Sequence, residues 1–174
     1  DGHATIFDML EGRYLDDTIR GYYENLIPFP PLVYVALGVN RTFNDEPYTA
    51  GGTAVRLKEP VSIGGVKQDF LNVKIYNLDP SLAPAGRTLL TLLFQTDYDY
   101  WKALRENDER YKAEKEKIAD TVVALLDRRL PGLAAQVEMR DVATPTTFVR
   151  YTGNWKGSFE GWMVTPETWS FGKI

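Results

Sequence analysis

The sequence predicts an α+β domain: an antiparallel or mixed sheet with helices packed mainly on one face. Three observations predict it. Two apolar runs, LVYVALGV over residues 32–39 and TLLTLLFQT over 88–96, have the length and composition of strands buried on both faces. The Gly64-Gly65 pair between Ile63 and Val66 marks a hairpin. One long helical stretch, 107–129, follows those strands instead of alternating with them, so the βαβ rhythm of a parallel sheet is absent.

The remaining elements follow in order. Residues 5–10 read as a short helix or turn. Residues 15–25 read as a helix, with Leu15, Ile19, Tyr22, Tyr23 and Leu26 on one face, and Pro28, Pro30 and Pro31 forbid its continuation. Residues 44–52 read as a loop. Residues 55–57 and 61–63 read as two short strands on either side of Pro60. Over 70–78, Leu71, Val73 and Ile75 alternate with Asn72, Lys74 and Tyr76, as a half-exposed strand requires. Residues 79–86 form a proline-containing turn. In the long helix, Asn107 is the expected N-cap, Asp108 and Glu109 suit the positive end of the dipole, and Arg128 and Arg129 suit the negative end. Its apolar stripe is Tyr111, Ile118, Val122, Leu125 and Leu126, and Pro131-Gly132 ends it. Residues 137–142 read as a strand. Thr144-Pro145 opens a last short helix that Gly153 stops.

Composition bounds what such a domain does. The chain has 174 residues, of which 44% are hydrophobic and 25% charged, the profile of one ordinary globular domain spanning 1–174. The net charge of −4 argues against a nucleic-acid partner. With no cysteine, disulfides and thiolate metal sites are excluded, which fits a reducing, cytoplasmic setting. No apolar run approaches the roughly 20 residues that span a bilayer. The chain opens on Asp1 without a signal peptide and closes on an aromatic-rich segment at Ile174, so it reads as a piece of a longer polypeptide.

Catalytic motifs are scarce. His3 is the single histidine, which leaves little for a Ser-His-Asp triad or a zinc site. Asp16-Asp17 stands at a helix start, where carboxylates serve the dipole; Asp97/Asp99 is a second acidic pair, and a structural reading outweighs general acid–base work. Gly51-Gly52 and Gly64-Gly65 match no dinucleotide fingerprint, and no Walker A sequence is present. No catalytic residue and no metal ligand is assigned.

The informative stretch is 144–162, TPTTFVRYTGNWKGSFEGW. Gly153, Gly157 and Gly161 recur every fourth residue, interleaved with Phe148, Tyr151, Trp155, Phe159 and Trp162. Two accounts stand side by side. The aromatics fill a satellite core, or the backbone approaches a planar ligand where Cβ atoms are missing and the rings line an apolar slot. A GxxxG helix-pairing reading fails because Asn154, Lys156 and Glu160 are polar.

The segment Thr144-Pro145, Phe148, Tyr151, Gly153, Gly157, Gly161 resembles the TP…G…G pattern of the phytoene desaturase and carotenoid isomerase group of flavoproteins. The opening DGHATIF, with Asp1 in the place of a family aspartate, and the prolines before LVYVALGV resemble that group's entry into its substrate domain. The resemblance implies the substrate-side domain of a parent that binds FAD and acts on an apolar, polyene or lipid-like substrate by hydride transfer to flavin. The family's GxGxxG and its closing glycine-rich segment have no counterpart here, so this piece alone is expected to bind no FAD. The resemblance implies that Gly157 and Gly161 lie at the flavin edge and that Trp155, Phe159 and Trp162 line the substrate passage, with Tyr34 as a weaker substrate contact. The implied partners are the flavin domain of the same polypeptide, a membrane touched peripherally by the parent, and a second copy through exposed apolar surface. The alternative is a free-standing module that grips a lipid between sheet and long helix. A third, ligand-free reading is a structural or interaction domain.

Overall fold

Strand β1 (Leu32–Val39) forms where the sequence is apolar at every position but Gly38, and the sheet is built outward from it. Val33, Val35, Leu37 and Val39 are wholly buried on one face, while Leu32, Tyr34, Ala36 and Gly38 point to the other. The computed structural model describes residues 2–46, 50–166 and 169, the Pro80 side chain excepted; Asp1 lies outside them.

Among the described residues β1 joins β2 (Thr53–Ile63), β3 (Val66–Ile75), β4 (Thr88–Gln95) and β5 (Val137–Ala143) in one five-stranded sheet. The order is β2-β3-β4-β1-β5, and every neighbouring pair is antiparallel. The register aligns Val73, Leu92, Val35 and Val142 in one buried row across β3, β4, β1 and β5. The Gly64-Gly65 hairpin is as expected, with both glycines at positive φ, the requirement of a two-residue turn.

Four helices accompany the sheet: α1 (Asp17–Asn25), α2 (Tyr98–Arg105), α3 (Asp108–Arg129) and α4 (Pro145–Thr152). The Asn107 side chain caps α3 by accepting from the Arg110 N–H at 3.0 Å. Ile118, Ala119, Val122 and Leu126 of α3, with Trp101 of α2, belong to the same buried cluster as the core face of β1 and β4. Of the other two members of the expected stripe, Tyr111 belongs to that cluster and Leu125 packs against it, partly buried.

Two elements differ from expectation. The two short strands around Pro60 are one eleven-residue strand, β2, whose register shifts between Arg56 and Val61. The exposed Pro60 is tolerated because β2 is an edge strand and a bulge absorbs the missing donor. Helix α2 is absent from the sequence reading, which saw Asp97/Asp99 as a bare acidic pair. Asp97 is its N-cap, accepting from the Tyr100 N–H at 2.8 Å. Tertiary contact fixes this short helix: the buried Trp101 indole donates to Thr96 Oγ1 at 2.8 Å, and the Thr96 hydroxyl donates to the Gly64 carbonyl at 2.6 Å. That relay ties α2, the end of β4 and the β2–β3 hairpin together without leaving a buried polar group orphaned.

Leu92 is 1% exposed in the centre of the buried row. Leu92→Asp therefore buries an unpaired carboxylate and costs about 4 kcal/mol or more, a large share of a typical stability margin. A variant that melts within a few degrees of the parent chain would show that β4 is not central.

Candidate functional site

The C-terminal segment is held by its neighbours on both sides. Thr144 caps α4 in a reciprocal capping box with Thr147, Pro145 occupies the first turn, and Gly153 in the left-handed region ends the helix. The chain then turns at Trp155–Gly157 and runs back beside the stretch that follows α1. Phe29 N–H donates to the Gly161 carbonyl and Met163 N–H to the Ile27 carbonyl, both at 2.7 Å, and Pro28 and Trp162 form an antiparallel bridge.

This pairing gathers rings from three parts of the chain. His3 and Phe7 come from the N-terminal π-helix (Ala4–Met9) and the residue capping it, Tyr23 from α1, and Trp155 and Trp162 from the C-terminal segment. His3 stacks on Phe7 at 4.5 Å and on Trp155 at 5.3 Å between centroids. Tyr23 meets Trp155 and Trp162 edge-on at 5.4 and 5.1 Å, and the two tryptophans lie 5.7 Å apart. Such offset and T-shaped pairs each add about 0.5–1.5 kcal/mol beyond burial. Beside them opens a cleft of about 400 Å³, lined by Tyr23, Trp155, Phe159, Glu160, Gly161 and Trp162, among others.

The three aromatics assigned to the substrate passage differ in exposure. Trp155 and Trp162 are half-buried against Tyr23 and His3, because α1 and the N-terminal π-helix supply the surface the tryptophans need. Phe159 is 53% exposed at the mouth of the cleft. It also lines a smaller cavity of about 70 Å³ with Leu32, Phe148 and Gly157, which links the segment to the start of β1. Tyr34 follows two residues along the same face of β1 and lines neither cavity. Burial pushes the Tyr34 phenol up, as do Tyr76 and Asp141, with a hydrogen bond to Thr91 opposing them.

The two glycines separate in role. Gly157 is buried at φ +64°, and a Cβ there would stand 2.7 Å from the Pro145 carbonyl oxygen and 2.9 Å from its Cα. Its lack of a side chain lets the segment close against α4. Gly161 at φ +83° would place a Cβ in open space, at the wall of the larger cleft. Sequence alone does not mark Tyr23 as a cleft residue or His3 as the ring that backs Trp155. Tyr23 lay on a stripe that reads as core, and nothing local pairs residue 3 with residue 155.

The fold and site define an antiparallel α+β domain carrying an aromatic cleft at one end of its sheet. No family model and no solved structure matches the chain. Part of it is similar to curated plant proteins. Over 83 residues it is 32% identical to a chloroplastic prolycopene isomerase of Daucus carota, 34% to that of Arabidopsis thaliana, and 32% to prolycopene isomerase 2 of an Oncidium hybrid cultivar. The similar stretch is 47% of this chain and spans only 13% to 14% of those relatives.

Two predictions follow from the geometry. Gly157→Ala drives a methyl into the Pro145 backbone and costs about 2–4 kcal/mol, whereas Gly161→Ala meets only the left-handed penalty of about 1 kcal/mol. Denaturant titration of both variants checks the order. His3 is held below its ordinary pKa by burial, with Asp8 opposing. The unfolded chain therefore takes the proton more readily. This contribution to stability is complete above about pH 6.5 and is lost as pH falls through the lower folded value. Melting curves at falling pH are expected to show that loss, and His3→Phe is expected to remove it.

Proposed function

We propose that this chain is the substrate-side domain of an FAD-dependent oxidoreductase that acts on an apolar, polyene or lipid-like substrate by hydride transfer to the flavin. The observation that carries the reading is the aromatic cleft, found on a chain about half of which is similar to prolycopene isomerases. Trp155, Phe159 and Trp162 offer ring faces along which an extended conjugated chain lies flat, and the cleft excludes water around it. Gly161 fits the edge of a planar ring system, since nothing stands within 4 Å of its Cβ direction. Gly157 fits less well, because Pro145 already occupies the space beside it. Bound in the parent, FAD supplies the hydride-accepting chemistry.

The sheet supports the same reading. On the face away from α3, Leu93 is 42% exposed and Phe70 55% exposed, with Tyr34 half-buried between them and β5. This is the surface we assign to the flavin domain and substrate, with Tyr34 as a substrate contact. The rival module, with a lipid gripped between sheet and α3, is less favoured. Ile118, Val122 and Leu126 fill that space as part of the continuous core.

The reading has a direct test. Titrating the 174-residue chain with FAD is expected to give no saturable micromolar quenching of flavin fluorescence, because the chain carries no GxGxxG turn for the pyrophosphate. A longer polypeptide that includes the flanking segments is expected to purify with flavin absorbance. Tight FAD binding by the chain alone, or a colourless longer polypeptide, would overturn it.

A further inference from the structure

A second concavity lies where α3, α4 and the edge strand β5 meet. It holds about 280 Å³ and is lined by Arg105, Tyr111, Lys115, Asp141, Thr146 and Arg150, among others. The volume corresponds to roughly nine liquid waters, room for a phosphate group with its hydration or an attached alkyl stub.

What marks it is the gathering of three cations in one lining. The protein is acidic overall at −4, and several of its cations are matched: Arg140 with Glu116 and Asp120, Arg87 with Glu138, Lys117 with Glu114. Around this concavity Arg105, Lys115 and Arg150 converge against the single lining carboxylate of Asp141. Arg105 is paired with Asp108, but among the described residues neither Lys115 nor Arg150 has a carboxylate within ion-pair distance. The cations are also positioned. The Arg105 guanidinium sits 4.9 Å and the Lys115 ammonium 5.9 Å from the Tyr111 ring centroid, and Arg150 lies 5.2 Å from that of Tyr151.

Tyr111, Thr146 and Thr147 add hydroxyls to the lining, and the buried Thr144 stands behind them. Tyr111 Oη is 2.7 Å from Thr144 Oγ1 and 3.3 Å from both Thr146 Oγ1 and Thr147 Oγ1. Burial pushes the Tyr111 phenol up, yet these hydroxyls and the Lys115 charge outweigh it and hold it below the usual tyrosine value. The surroundings therefore favour negative charge.

We infer that this concavity is a binding site for a phosphate monoester, held by Lys115 and Arg150 with Arg105 beside them. Guanidinium and ammonium groups grip a phosphate dianion by short charge-assisted bonds, and a half-buried lysine makes them in a medium less screening than bulk water. A soluble phosphorylated metabolite and the headgroup of a phosphatidic-acid-type lipid present the same terminal group. The site is separate from the aromatic cleft and does not depend on the flavoprotein reading.

The test uses the 174-residue chain at constant ionic strength. Amide chemical shifts are followed while inorganic phosphate, then glycerol 3-phosphate, is added. Co-sedimentation is measured with phosphatidylcholine vesicles with and without phosphatidic acid. Saturable shifts confined to the Tyr111, Thr146 and Arg150 region support the site and a soluble source. Sedimentation that requires phosphatidic acid supports the site and a lipid source. In either case Lys115→Ala/Arg150→Ala is expected to weaken binding at least about tenfold. Lys58→Ala, an exposed cation on β2, is expected to leave it unchanged. Because Arg150 is exposed and Lys115 half-buried, Lys115→Gln/Arg150→Gln serves as a second, volume-preserving pair. No binding in either arm, or binding that both double variants retain, would overturn the inference.

Discussion

Everything in this domain depends on a central pair of strands that is apolar on both faces. In β1 and β4 the register sets Val35 opposite Leu92 and Leu37 opposite Leu90 on one side, and Tyr34 opposite Leu93 on the other. The first side is sealed by α2 and α3 into one core. The second is only partly covered, and Leu93 remains substantially exposed. Burying apolar surface contributes about 25 cal/mol per Å², so a half-open central sheet is a favourable surface for another apolar body. That asymmetry directs attention to the open face and to the end of the sheet where β1 begins.

The aromatic cleft grows from the same geometry. Strand β1 must start at Leu32, so the residues before it are free to pair elsewhere, and 27–29 pair with 161–163. That pairing sets Trp155 against His3 and Tyr23, and both of these pack on Phe7. A tight contact to Pro145 at Gly157 and an open position at Gly161 let the segment fold back while leaving one wall accessible. The result is a preformed slot whose tryptophans are anchored by the chain itself and whose Phe159 is left to meet a ligand or a neighbouring domain.

Charge is distributed with the same economy. Between β5 and α3, Arg140 is matched by Glu116 and Asp120. At the junction with α4 three cations face one carboxylate across a concavity that also carries buried hydroxyls. Surface ion pairs contribute little to stability, so the imbalance matters less for folding than for what the concavity attracts.

The sequence by itself determined most features governed by short-range chemistry. Unbroken apolar runs of strand length set β1 and β4, alternation set β3, the glycine pair set the hairpin, and Asn107 and Thr144 set the starts of α3 and α4. The clustering of rings at 148–162 also made the C-terminal segment legible as unusual. Tertiary structure alone decided the rest. Helix α2 is too short to be stable by propensity, and it is held by the Trp101–Thr96–Gly64 relay, whose partners lie 5 and 32 residues apart in sequence. The two strand fragments around Pro60 became one because β3 offers a continuous ladder on which a bulge is tolerated. The cleft walls of Tyr23 against Trp155 and Trp162, the stacking of His3 behind Trp155, and the meeting of Lys115 with Arg150 arise only when distant segments pack. Period and propensity act over a few residues, whereas burial acts on whatever the fold brings together.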